Sequence, residues 1–232
     1  MKLGINGKLA LVVGASRGMG KAVALELEQA GCRIIRVARS SGDYQVDITK
    51  PGVVDAFIDC VHREHGAPDI VVHVAGGSMG IRDEMLPASE WVKVWNLNLG
   101  AAIDINRAFL PAMVRRGWGR VVHFSSNGVK LGTGRAPYIS AKHAVEGYVQ
   151  IMSRRFAKDG VVITAVSPGP IYTPGLFIYS QGEEWTKVFM EKYVPMGRWG
   201  RDEEVAGAVV FLCSDKASYM AGAVVNVDGG MR

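Results

Sequence analysis

Cysteine is scarce in this chain of 232 residues, and nothing in its placement pairs it. Cys32, Cys60 and Cys213 form no CxxC or other metal-ligand spacing, and each lies among apolar neighbours. A disulfide framework and a cysteine-held metal are therefore not expected; buried, reduced thiols in a reducing, cytoplasmic compartment are. No apolar run reaches the roughly 18 residues of a membrane span, and no signal-peptide core with a small-residue cleavage site stands near the N-terminus. Blocks of like charge are missing too. The net charge is +5 and the pI near 9.2, yet the Lys and Arg residues are dispersed, so neither nucleic acid nor a membrane surface is an expected partner. A phosphate-rich ligand would account for part of the excess. No linker, repeat or low-complexity tract divides the chain, so a single domain over residues 1–232 is expected.

What the sequence does contain is alternation. Apolar runs of strand length at 8–14, 33–38, 44–48, 69–77, 120–126, 161–169 and 223–230 are separated by segments of helical period at 20–31, 51–66, 89–116, 138–160 and 202–214. The runs are apolar throughout, as strands buried on both faces must be. This pattern predicts an α/β fold, a Rossmann-like doubly wound parallel sheet of about seven strands with helices on both faces. Ligands of such sheets bind beyond the carboxyl ends of the strands, near the topological switch point. Gly14, the tip Ala75–Gly77, Ser125–Ser126 and Pro168–Gly169 are all strand ends, and should converge on one crevice.

The first strand runs into "VVGASRGMG". Gly14 permits a tight turn, while Gly18 and Gly20 let backbone and helix approach a pyrophosphate at the helix N-terminus. Gly14, Ser16, Arg17, Gly18, Met19 and Gly20 are the candidate phosphate loop. Its spacing is GxxxGxG, and in it, and in the motifs below, the chain resembles the short-chain dehydrogenases/reductases over nearly its whole length. In NAD-binding relatives an acidic residue ends the second strand; here that position is Ala38, followed by Arg39. No carboxylate stands there to repel a 2′-phosphate, and Arg17 and Arg39 supply planar forks of donors that match one. The expected cofactor is NADP(H). Asp47 and Ile48 resemble the family's adenine contact, and Ala75–Gly76 its glycine approach.

"YISAK" sets Tyr138 and Lys142 four residues apart, on one face of a helix. Hydride transfer between a nicotinamide and a carbonyl builds negative charge on oxygen, so a proton donor must stand beside it. A phenol of pKa about 10 needs help to serve near neutrality, and lowering it by about three units takes roughly 4 kcal/mol. A nearby ammonium is one source; a Ser hydroxyl can hold the substrate oxygen. The resemblance implies Tyr138 as general acid/base, Lys142 as its partner and ribose ligand, Ser126 as the third member, and Asn98, thirteen residues before Pro111, as support of a water relay. Asn96 is a decoy. "SPGPIYTP" resembles the family's PG motif, with Pro168, Gly169, Ile171 and Thr173 at the nicotinamide.

Three features depart from the family pattern. "HVAG" stands at 73–76 in place of NNAG, so Val74 lacks a bracing Asn; the Ser126–Tyr138 interval is one residue short; and 40–46 leaves no room for a helix. The substrate should sit between loops 77–87 and 127–136 and a lid segment at about 174–194. The lid carries Phe177, Ile178, Trp185, Phe189 and Met190, which suits a partly apolar substrate. The reading is an NADP(H)-dependent oxidoreductase acting on the carbonyl or secondary alcohol of a small molecule. The alternatives are a 3-oxoacyl-thioester reductase, using acyl carrier protein or CoA, and a non-catalytic NADP-binding scaffold or redox sensor. The presence of both Tyr138 and Lys142 argues against the last. The resemblance also implies a homodimer or homotetramer joined through the long helices.

Overall fold

β1 (Leu9–Val13) is buried at every position, and its side chains alternate between two cores. Leu9, Leu11 and Val13 face one; Ala10 and Val12 face the other. This period of two is why the strand runs need apolar residues without interruption. The computed structural model describes residues 2–81, 83–172 and 183–231. Along it follow α1 (Gly18–Gln29), β2 (Arg33–Ala38), β3 (Tyr44–Gln45), α2 (Val53–His65), β4 (Ile70–His73), α3 (Ala88–Trp95), α4 (Ala101–Arg116), β5 (Gly119–Phe124), α5 (Asn127–Leu131), α6 (Ala136–Phe156), β6 (Val161–Pro168), α7 (Glu183–Tyr193), α8 (Asp202–Cys213) and β7 (Val224–Val227).

The seven strands form one parallel sheet in the order β3-β2-β1-β4-β5-β6-β7. The expected doubly wound fold is the one observed. The order reverses between β1 and β4, so the crevice of the switch point opens above Gly14 and Val74–Gly77. Residues of α2, α4 and α6 fill the core on one face, and residues of α1 and α8 fill it on the other. No helix among the described residues is long and apolar enough to cross a membrane.

Three local differences bear on the site. The helix expected over 89–116 is broken by a π-helical turn at Asn96–Gly100, between α3 and α4. An i→i+5 turn widens the helix and frees local polar groups, and such turns gather at functional sites. A short helix, α5, fills the loop after Ser126; its five residues are below the length at which sequence periodicity registers. The strand expected over 223–230 ends at Val227, because Asp228–Gly230 turns away from the sheet.

Candidate active site

The glycine turn is forced by contact. Gly14 has φ +97°, and a Cβ there would lie 2.7 Å from the Ala75 nitrogen. The turn is held to its neighbours by Gly14 N–H and Ala15 N–H donating to Val37 O, and by Ala75 N–H donating to Val13 O. α1 begins at Gly18 with no acidic residue in its first turn and no side chain capping it, so its N–H groups face the crevice. A cleft of about 860 Å³ opens there, lined by Gly14, Ser16, Arg17, Gly18, Met19, Gly20, Ala38, Arg39, Asp47, Ile48, Ala75 and Gly76. All the residues expected at the phosphate, ribose and adenine end thus line one groove of dinucleotide size.

Charge in this groove is one-sided. Ala38, Arg39 and Ser40 follow one another along the wall at the end of β2, and Arg17 stands across the glycine turn. The lining carboxylate, Asp47, is already engaged: its Oδ1 accepts from the Thr49 backbone N–H (3.1 Å) and hydroxyl (2.6 Å). Those bonds, with Arg39 nearby, hold it below the usual carboxylate range. Asp47 lies two residues beyond β3 rather than in it. The residues fit a dinucleotide carrying a 2′-phosphate, since the groove offers two guanidiniums and no competing acid at that end.

Ser126, Tyr138, Lys142 and Asn98 come together at the β4–β5 end of the crevice. Ser126 is the N-cap of α5, its Oγ accepting from Gly128 N–H at 3.3 Å, and its hydroxyl is hydrogen-bonded to the Tyr138 phenol. Tyr138 stands in the first turn of α6, and Lys142 one turn further, buried, donating from Nζ to Phe124 O at 2.6 Å. The ammonium lies 5.5 Å from the centroid of the Tyr138 ring. Asn98 sits in the π turn. Its Nδ2 donates to Gly77 O (2.9 Å) and Val94 O (2.8 Å), and its Oδ1 accepts from Gly77 N–H (3.0 Å). A Cβ built on Gly76 would fall 2.6 Å from Asn98 Oδ1 and 3.0 Å from Lys142 Nζ, so these two groups share one corner of the site.

The electrostatics differ from the sequence expectation. Burial pushes the Tyr138 phenol up, with the Ser126 hydrogen bond opposing, and burial pulls the Lys142 ammonium down to about 7. Lys142 is anchored on a backbone carbonyl, and its own charge is penalised, so it does not depress the phenol by itself.

Beneath the site lies a buried polar cluster that sequence reasoning did not find. His73 and His123, opposite each other on β4 and β5, stack with ring centroids 4.6 Å apart. Asn106 of α4 accepts from His73 Nε2 (2.9 Å), and its Nδ2 donates to His123 Nε2 (3.2 Å) and to Tyr148 of α6 (3.1 Å). Asn106 thereby fixes a proton on His73 Nε2 and keeps His123 Nε2 unprotonated. Beside it, Ser125 Oγ donates to Glu146 of α6 at 2.5 Å. The parallel register of β4 and β5 was the signal available: His73 ends β4 and pairs in register with His123, the residue before Phe124 at the end of β5. Val74, in place of the family's Asn, instead packs against the core shared with α1 and α8.

On the substrate side, Pro168 ends β6, Gly169 N–H donates to Val227 O (3.0 Å), and Ile171 is buried and bridged to Gly200. Thr173, Phe177 and Ile178 lie outside the described residues, as does the Trp185 side chain. Of the expected lid, α7 is described: Met190 is buried, and Phe189 lines a cavity of about 640 Å³ with Leu131, Thr133, Val188, Lys192, Tyr193 and Met231.

The chain is similar to known proteins over nearly its whole length. A family model described as enoyl-(acyl carrier protein) reductase matches residues 14–232. The 3-oxoacyl-(acyl-carrier-protein) reductase FabG of Pseudomonas aeruginosa is 33% identical over 250 residues, covering 99% of each chain. That of Aquifex aeolicus is 31% identical over 255 residues, covering 100% of both. Among solved structures, L-sorbose reductase from Gluconobacter frateurii, complexed with NADPH and L-sorbose, superposes with a TM-score of 0.90 at 28% identity, covering 100% of this chain and 98% of its own.

Proposed function

The chain belongs to the short-chain dehydrogenase/reductase family, and on that premise we propose that it transfers a hydride between NADP(H) and the carbonyl or secondary-alcohol carbon of a partly apolar small molecule. The observation that carries this reading is the meeting of Ser126, Tyr138 and Lys142 beside a dinucleotide groove with Arg17 and Arg39 on its walls and no carboxylate at the end of β2. Arg17 and Arg39 hold the 2′-phosphate, and the glycine turn and α1 N-terminus hold the pyrophosphate. Bound NADPH supplies the hydride. Ser126, bonded to Tyr138 before substrate arrives, turns its hydroxyl proton to the substrate oxygen and stabilises the charge that develops on it. Tyr138 gives its proton to that oxygen in reduction and takes it back in oxidation. Lys142, with a pKa drawn to about 7, exchanges its own proton at neutral pH and re-protonates the phenolate. Asn98, fixed by Gly77 and Val94, holds the corner from which that proton is resupplied.

A second reading, reduction of a 3-oxoacyl thioester, is favoured by the full-length likeness to 3-oxoacyl-(acyl-carrier-protein) reductases and by the apolar lining between α5 and α7. The likeness to a sugar reductase pulls the other way, and Thr133, Lys192 and Tyr193 can partner hydroxyls, but Leu131, Val188, Phe189 and Met231 make most of this wall apolar. The three free cysteines are consistent with a cytoplasmic protein, and assembly into a dimer or tetramer through α4 and α6 belongs to the same reading. The test is NADPH oxidation, followed at 340 nm, against ketones, 3-oxoacyl thioesters and ketoses. Turnover of an apolar ketone or thioester above that of ketoses is expected; binding of NADPH with no turnover of any carbonyl would sink the reading in favour of a scaffold.

A further inference from the structure

The last described residues lie between the two helices that flank the substrate side. After β7 the chain turns at Asp228, whose Oδ1 accepts from Gly230 N–H (3.0 Å) while its O accepts from Met231 N–H (3.3 Å). The outer carboxylate oxygen, Oδ2, accepts from Asn127 Nδ2 at 2.8 Å. Asn127 is the first residue of α5, is buried, and directly follows Ser126. On the other side, Met196 N–H donates to Gly229 O (3.1 Å), and Gly229 packs so closely under the end of α7 that a Cβ on it would fall 2.9 Å from Val194 Cγ1. Met231 is buried among Met190 and Val194, with Leu131, Phe189 and Trp199 around them. Both α5 and α7 therefore rest on this turn.

The same methionine lines the apolar cavity between those helices. Leu131, which lines the cavity with it and packs against its cluster, stands five residues after Ser126, about 7.5 Å along a helix at roughly 1.5 Å per residue. A carbonyl held at Ser126 would thus have its apolar remainder within one short chain's length of Met231. Lys192 is the cationic group of the lining, and the other side chains are apolar apart from the hydroxyls of Thr133 and Tyr193.

We propose that the C-terminal turn Asp228–Met231 is the specificity element of this enzyme: Met231 floors the cavity that receives the substrate's aliphatic or aromatic remainder, and the Asn127–Asp228 hydrogen bond registers that floor to Ser126. The inference rests on the hydride-transfer reading for its position relative to the carbonyl. Met231 sets how long a chain fits, because an unbranched thioether fills the end of the cavity and its removal or enlargement changes the depth directly. Asn127 is a positioning residue, acting through the backbone of Ser126.

The experiment measures kcat/KM with NADPH for methyl ketones and for N-acetylcysteamine 3-oxoacyl thioesters from four to twelve carbons. In Met231→Ala the ratio of twelve- to six-carbon kcat/KM should rise by about tenfold or more, and in Met231→Trp it should fall by a similar factor. Calorimetric titration of decanoate and butanoate into the same proteins reads the cavity without turnover, and Met231→Trp should lower the decanoate-to-butanoate affinity ratio about tenfold. Asp228→Ala should lower kcat with little change in the KM for NADPH, and Asp228→Asn, whose one acceptor oxygen can serve Asn127 at the expense of the bond from Gly230 N–H, should recover part of it. Active wild-type protein whose chain-length ratio ignores both Met231 variants overturns the floor, as does a decanoate ratio that does not move. An inactive wild type that still shows the decanoate effect removes the hydride reading and leaves the cavity assignment standing. Loss in Asp228→Asn equal to that in Asp228→Ala overturns the registering role of the hydrogen bond.

Discussion

The stacked histidines make the fold sensitive to acid in a defined window. Burial, with a smaller opposing contribution from Asn106, takes the His73 imidazolium pKa from its ordinary 6.5 down to about 4, and His123 is pulled well below 6.5 by burial and by the charges of His73 and Lys142. Unfolded chain releases both rings to water, where they protonate near 6.5. The folded pKa is the lower one, so between those values the unfolded state binds more protons than the folded state. The histidines' contribution is therefore fully present above pH 6.5 and falls as the pH drops towards 4, below the window from 10.5 to about 7 in which buried Lys142 gives up its own. At 1.36 kcal/mol per unit, His73 alone removes about 3 kcal/mol over this range, a large share of the roughly 5–15 kcal/mol that holds a domain folded. Urea denaturation followed by tryptophan fluorescence at half-unit steps from pH 7.5 to 4 measures it. The midpoint should slide down from pH 6.5, and His73→Gln together with His123→Gln should flatten the slope, whatever the absolute stability of that variant. Glu204, lowered to about 2 by Arg198 and the Arg201 backbone, loses its contribution only below its ordinary 4.5, so the histidine slope is read between pH 6.5 and 4.5. A wild-type midpoint that is level between pH 6.5 and 4.5, or an equally steep slope in the double variant, would refute the argument.

Four further outcomes follow from the site. Tyr138→Phe removes the acid/base and keeps the ring, so turnover should fall by at least about a hundredfold while NADPH binding by fluorescence persists; substantial residual turnover would undo the assignment. Arg39→Asp puts a carboxylate beside the 2′-phosphate position and should swing the kcat/KM preference from NADPH towards NADH; an unchanged ratio counts against the clamp. Gly76→Ala drives a methyl to within 2.6 Å of Asn98 Oδ1 and 3.0 Å of Lys142 Nζ, so kcat should drop tenfold or more, and a variant with native kcat would show that this corner is slack. Ser126→Ala removes the hydrogen bond that favours the Tyr138 phenolate in the free enzyme, so kcat/KM for alcohol oxidation should shift to higher pH as well as fall; a uniform loss with the profile in place would separate Ser126 from the Tyr138 titration.

The sheet, the groove and the Ser–Tyr–Lys set were readable because each is written in local spacing: continuous apolar runs, GxxxGxG between a strand and a helix, YxxxK at one helical turn. What escaped depends on register or on contacts across the chain. His73 and His123 read as two ordinary strand residues until β4 and β5 pair in register, and Asn106 as one polar residue of a long helix until it meets both. The π turn was hidden because Asn96–Gly100 keeps helical composition; only the bonds of Asn98 to Gly77 and Val94 explain why the helix opens there. Asn127 and Asp228 are 101 residues apart, and no spacing rule links them.

The buried cluster and the catalytic pair answer to the same physics. Burial raises the phenol of Tyr138 and lowers the ammonium of Lys142, which moves both towards their neutral forms and makes proton transfer from the ammonium to the phenolate downhill. A cationic imidazolium at His123 would push Lys142 further still towards its free amine. Asn106 works against that by donating to His123 Nε2, an atom that can accept only while the ring is neutral. Neutral histidines under the strand tips leave Lys142 as the cation of this corner, and leave the hydrogen bond from Ser126 as the stabiliser of the phenolate that the chain itself supplies. On this argument the polar residues below the site keep a second charge out of the core, so that the buried Lys142 ammonium is not opposed by an imidazolium beneath it.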